Sequence, residues 1–207
     1  RPDDPDAVVL FQRLPTYLTF VSNWMTTDAP NLGVIWALST EGQFFLVWPL
    51  IEAFVKPPFK FAILGLFVTL NIATSFGFLD SFWAQVYGAG FDRSLEILQT
   101  TFTPVCFGIL LAHLLHCRKT FDAIAPFLTN RWTSTVLFSL MAVSVIFSPN
   151  SISQGGPFRL IVHIVIMLLL ASLLVREDTP AHRFLNQKIF VQIGLLSYGI
   201  YLYHMFA

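Results

Sequence analysis

Charge is what this sequence has least of. Asp, Glu, Lys and Arg make up 12% of its 207 residues, against about one quarter in a soluble domain. Twelve basic and twelve acidic side chains cancel, and that balance by itself says nothing about partners. Cysteine is nearly absent. Cys106 and Cys117 lie in or beside one apolar segment, which argues against a disulfide framework or a metal cluster and reads them as small buried hydrophobes. There is no Gly-rich phosphate loop, no H-E-x-x-H metal spacing, no G-x-S-x-G elbow and no nucleic-acid-binding motif. No metal, no bound cofactor and no nucleic-acid partner is therefore expected. Internal repeats and low-complexity segments are missing too. The chain opens on Arg1 with no methionine or signal peptide and stops at Ala207 inside an apolar run, as expected of a piece truncated at both ends.

Apolar residues fill the space that charge leaves. The chain is 55% hydrophobic with 22 phenylalanines, and its mean hydropathy is +0.67. Helices that are apolar on every side belong in a bilayer, where lipid replaces water. The sequence predicts an all-α, polytopic transmembrane bundle forming one domain over residues 1–207. Residues 1–6 read as a polar tail. Spans are expected at about 14–25, 35–54, 59–79, 97–116, 132–147, 158–175 and from 189 onward, about seven in all. Several approach the ~20 residues that a ~30 Å hydrocarbon core requires. Lys56-Pro57-Pro58 should end the second span, since proline cannot continue the hydrogen-bond ladder. Residues 80–95, 116–119 and 176–188 read as loops.

The basic residues orient the bundle. Lys56, Lys60, Arg118, Lys119, Arg131, Arg176, Arg183 and Lys188 fall in one set of loops, while the opposite set holds only Arg93 and Arg159. Arg1 and Arg13 are unassigned. That bias places the first set in the cytoplasm. The span at 35–54 then runs from outside to inside, and the last span runs the other way. His204 lies fifteen residues after Ile189, about 22 Å along a helix. The start of one helix and the end of the other reach similar depth near the outer face.

Those two ends carry the unusual chemistry. In Trp36-Ala37-Leu38-Ser39-Thr40-Glu41-Gly42-Gln43, a carboxylate and an amide sit in an apolar span, where ionisable groups are costly and usually functional. At 100° per residue, Trp36, Ser39 and Gln43 share a narrow arc and Glu41 points roughly away from it. Glu41 can accept a proton, hold a histidine or arginine of another helix, or stay protonated and structural. Near the C-terminus, Ser197, Tyr201 and His204 share one face, with Tyr198 elsewhere. That stripe reads either as a hydrogen-bonding surface on a cavity or as interface anchors. His113 and His116, beside Arg118 and Lys119, read as an interfacial basic belt, and His163 as a structural residue.

At these two clusters the sequence resembles the acyltransferase-3 family of integral-membrane acyltransferases, which O-acetylate bacterial surface polysaccharides. The family helix motif is similar to W-S-L-x-x-E-x-Q-F-Y-L followed by W-P, and Trp36, Leu38, Glu41, Gln43, Phe44, Leu46, Trp48 and Pro49 match it. Ala37 and Phe45 replace the usual Ser and Tyr, each losing a hydroxyl. Gly194, Ser197, Tyr198, Tyr201, Leu202 and His204 match a late G-x-x-S-Y-x-x-Y-L-x-H motif. Tyr17 to Trp24 and Gly108 to Ala112 also resemble family segments. Family members have about ten helices, and this chain resembles the third through ninth. The basic and histidine-bearing first helix and the basic segment after the second are not within it.

The resemblance implies an O-acyltransferase of the bacterial inner membrane. It would take an acyl group, most often acetyl, from acyl-CoA on the cytoplasmic side and pass it to a hydroxyl of an extracytoplasmic carbohydrate or cell-envelope glycan. It also implies that a histidine of the first helix is central to transfer. Glu41 and His204 are the expected catalytic residues here, with Trp36, Ser39, Gln43, Ser197, Tyr198 and Tyr201 contacting substrate. A glycan or lipid exporter and an inactive truncated remnant are the alternatives.

Overall fold

The computed structural model describes residues 5–24, 35–88, 102–147 and 156–203. Among these, every regular element is helical. The chain divides into two units: residues 1–102 with 199–207, and residues 103–198.

The first unit opens with α1 (Pro5–Leu18), earlier than the helix expected at 14–25, and the supposed polar tail contributes its first turn. Pro5 has no N–H to leave unsatisfied at a helix start. Pro15 is carried inside α1, whose end is held by the Thr16 and Thr19 hydroxyls donating to the carbonyls of Arg13 and Pro15, each at 2.7 Å. A 3₁₀ turn follows at Ser22–Trp24. α2 (Ile35–Phe54) and α3 (Pro57–Ser75) fall close to two of the expected spans. The Lys56-Pro57-Pro58 stop is also a restart, because the prolines occupy the first turn of α3. A Lys60–Glu52 ion pair ties the two helices across that break. α4 (Asp80–Tyr87) was expected as loop; its eight residues are too few to reveal themselves by periodicity.

In the second unit, α5 (Thr103–His116), α6 (Arg118–Leu128), α7 (Thr133–Phe147), α8 (Gly156–Val175) and α9 (Pro180–Leu185) follow in order. The segment after His116 is thus a helix rather than a basic loop, and α9 interrupts the charged connection. Two apolar clusters hold this unit. Leu111, Leu128 and Ala171 bring α5 and α6 onto α8, and Leu137 of α7 packs on Val165 and Leu169 of α8. The Arg176 guanidinium closes the end of α8. It donates to the Thr129 carbonyl at 2.5 Å and to both Asp178 oxygens. α10 (Lys188–Tyr203) begins in this unit and ends in the first.

Among the described residues, only α3 and α8, of 19 and 20 residues, are both long and apolar enough to cross a membrane. α5 and α7 are apolar but shorter. α2 has the length, yet Ser39, Thr40, Glu41, Gln43 and Glu52 dilute its apolar character. The all-helical expectation therefore holds among the described residues, and two of the roughly seven expected spans meet a strict length-and-hydropathy test.

Candidate functional site

The first half of α2 is built against the 3₁₀ turn. Three to four residues separate side chains on one face of a helix, so Ser39 and Gln43 turn together toward residues 20–24. Ser39 and Ser22 share a hydrogen bond of 2.7 Å, and they are 0% and 1% exposed. The Gln43 amide nitrogen donates to the Phe20 carbonyl and, at 2.7 Å, to Asn23 Oδ1. Its oxygen accepts from Trp24 Nε1 at 3.4 Å. Both ends of this amide are committed within the protein. Buried polar groups are tolerable when satisfied in this way.

The backbone is shaped to allow it. Phe20 has φ of +56°, a left-handed conformation that is a genuine outlier for a bulky residue. Such strain persists only where surrounding contacts over-determine it. Two contacts do so here. The Phe20 carbonyl receives Gln43, and its ring lies so close to Gly42 that a Cβ there would fall 2.6 Å from Cδ1. Gly42 is thus required by close approach of the chain, with Phe20 as the group that fills its place.

Glu41 is on the other side. It is exposed and makes no hydrogen bond or ion pair among the described residues. Phe45, one turn on, is 69% exposed, and Pro49 is exposed as well. The carboxylate therefore heads an uncovered apolar stripe, while Gln43 faces inward. The expected separation of the two is what the helix displays.

The C-terminal stripe differs. Ser197 is exposed and donates to the Gly194 carbonyl of its own helix at 2.7 Å. Tyr198 is 56% exposed and Tyr201 half-buried. His204 lies outside the described residues, and so does the side chain of Trp36. Of the expected site residues, the structure brings Ser39 and Gln43 together around the 3₁₀ turn and leaves Glu41 facing outward.

Sequence reasoning missed Ser22, Asn23 and Phe20 as the partners of α2. A polar Ser-Asn pair between apolar neighbours was the available signal. No group of three His, Cys, Asp or Glu able to hold a metal ion occurs among the described residues.

No curated protein and no solved structure matches this chain. A family profile does, described as an acyltransferase domain and covering residues 4–207. Nearly the whole length is matched, including α2, its polar network and α10, and the chain belongs to the acyltransferase-3 family.

Proposed function

We propose that the protein is a membrane-bound O-acyltransferase of the bacterial inner membrane. In this reading it moves an acyl group, acetyl being the expected one, from acyl-CoA on the cytoplasmic side to a hydroxyl of a carbohydrate or cell-envelope glycan on the outer side. Family membership supports acyl transfer, and two helices able to cross a membrane support the setting. One observation carries the site assignment: an exposed carboxylate without a partner among the described residues, on a helix whose other polar groups are bonded inward. A carboxylate on an apolar stripe is costly unless something uses it.

Transfer requires the acceptor hydroxyl to lose its proton as its oxygen attacks the thioester carbonyl. The tetrahedral oxyanion then collapses and expels the CoA thiolate. We assign Glu41 and His204 to the proton-handling side of this step, as base or as the group that orients the base. Ser197, Tyr198 and Tyr201, with Trp36, are assigned to acceptor or acyl-chain contact. Ser39 and Gln43 act in this reading by fixing α2 against the 3₁₀ turn. The test is transfer of labelled acetyl from acetyl-CoA in membranes carrying the protein. Wild-type rates in both Glu41→Gln and His204→Ala would sink the site assignment.

The orientation has its own test. Cys117 is exposed between α5 and α6, and hydrogen bonding from the backbone N–H and hydroxyl of Thr120 pulls its thiol below the ordinary cysteine value. Cys106 is fully buried. A membrane-impermeant maleimide should label Cys117 in inverted vesicles and not in intact spheroplasts. The reverse pattern would turn Glu41 toward the cytoplasm and remove the proposed acceptor side.

A further inference from the structure

Behind Gln43 the first unit contains two cavities, each of about 270 Å³. The rings of Trp24, Phe44, Trp48, Phe67 and Phe102 line the first, together with Val47 and the Gln43 amide. The second shares Trp24, Phe67 and Phe102 and continues past Leu70, Phe82 and Trp83. Among the described residues, neither is lined by a charged side chain. Ring contacts hold the walls: Phe44 lies 5.7 Å from Trp48 and 5.8 Å from Phe102, and Trp24 lies 6.1 Å from Trp83. Asn71 is tied down as well. Its amide nitrogen donates to the Phe67 carbonyl at 2.8 Å, and its oxygen accepts from the Phe102 backbone N–H. One polar atom in the wall of the second cavity is different. The Trp83 indole N–H is buried and has no acceptor among the described residues.

We propose that the paired cavities hold one acyl chain of a membrane glycerolipid, with the chain among the aromatic rings and its ester carbonyl accepting from Trp83 Nε1. Three observations select this occupant. Phe67, Leu70 and Asn71 belong to α3, a helix apolar enough to cross a membrane, so the solvent at that depth is lipid hydrocarbon. An aromatic lining without charge suits a chain and excludes a headgroup, as in apolar sites with a few placed polar groups. A buried donor lacking an acceptor is destabilising, and an ester carbonyl removes that cost while adding no charge. The lipid would stiffen the wall that carries Gln43 and Phe44. The inference does not depend on the acyl-transfer reading.

The test reconstitutes the full chain in phosphatidylcholine bilayers doped with a phosphatidylcholine carrying a diazirine in one acyl chain. Peptides are mapped after irradiation. Adducts should concentrate on Trp24, Phe67 and Trp83, at least about threefold over the exposed α2 residues Leu50 and Phe54. Val47→Phe and Leu70→Phe narrow the cavities and should lower that labelling by a similar factor. Leu50→Phe, outside them, should not. Trp83→Phe keeps the ring and removes the donor, and should weaken retention of the lipid through detergent extraction by about two- to tenfold, the worth of one neutral hydrogen bond. Uniform labelling along all exposed apolar faces would mean annular lipid only and would overturn the proposal. Loss of the adducts on adding palmitoyl-CoA would assign the cavity to the donor chain and overturn it too. Retention unchanged in Trp83→Phe would overturn the ester contact.

Discussion

α2 and α10 carry the two motifs that mark this chain, and the structure treats them oppositely. Both are apolar helices with a polar stripe. α2 buries Ser39, Thr40 and Phe44 and bonds Gln43 to Asn23 and Trp24 of the 3₁₀ turn and to Phe20 just before it. α10 buries none of its described residues. Ser197, its most polar side chain after Gln192 and Lys188, bonds only to its own backbone. α2 is therefore positioned by its side chains. α10 is positioned at its start: Phe190 lies 4.6 Å from Phe184 of α9, which in turn meets Phe138 of α7 at 6.0 Å. A shared motif signal thus says nothing about how a helix is held.

The largest expected effect separates the two faces of α2. Glu41→Gln preserves shape and removes a group with no partner among the described residues, so the protein should fold and insert as before. Acetyl transfer in membranes should fall by about 100-fold or more, the usual scale of acid–base assistance. Equal loss of insertion and activity would make Glu41 structural and erase the contrast with Gln43.

The inward face should respond in the opposite sense. Gln43→Leu leaves the Phe20 carbonyl and Asn23 Oδ1 without this donor, at a cost of about 1–3 kcal/mol. Gly42→Ala drives a Cβ toward the Phe20 ring and should cost a similar about 1–3 kcal/mol through overpacking. Both are read as lowered thermal stability in detergent. Ser197→Ala on α10 removes a bond to a local carbonyl at an exposed position and should change stability by no more than about 0.5 kcal/mol. A large loss there would mean that α10 is held by its stripe after all.

A comparable but local effect is expected where α10 is anchored. Phe184→Ala deletes both ring contacts, each worth about 0.5–1.5 kcal/mol beyond area burial. Hydrogen exchange should rise first in the opening turn of α10 and leave α2 unchanged. Faster exchange spread evenly along α10 would argue against anchoring at one end.

What the sequence could reveal follows from the same contrast. Long apolar runs gave α2, α7 and α8 to within two residues at each end and α3 to within four, because hydropathy needs no knowledge of partners. α4, α6 and α9 were missed, since short helices are fixed by what they pack on: α6 by Leu128 reaching the core, α9 by its Thr179 cap and buried Ala181. The 100° rotation separated Glu41 from Gln43 correctly. It could not name Ser22, Asn23 or Phe20 as partners, because they lie about twenty residues away across residues of unrelated pattern. Nor could it foresee that a phenylalanine would adopt a positive φ opposite a helical glycine.

The smallest effect is set by pH at the connection leading to α9 and α10. Asp178 receives the Arg176 guanidinium at 2.5 and 2.9 Å, and that contact holds its carboxyl below the ordinary 3.8. A carboxylate whose folded pKa is depressed contributes stability above its unfolded pKa, and the contribution disappears as pH falls through the folded value. The pair is solvent-exposed, so its worth is small and screened by salt. Asp178→Asn should therefore behave like wild type well below pH 3.8 and be slightly less stable at neutral pH, with the gap closing in high salt. Because Arg176 also bonds the Thr129 carbonyl, the loss should appear in the α6–α8 junction and at the start of α9. The first half of α2, held at Ser39 and Gln43 by neutral hydrogen bonds, should show no such dependence on salt. A gap that persists at high salt would mean that the junction is fixed by packing, and that the charge pair only decorates it.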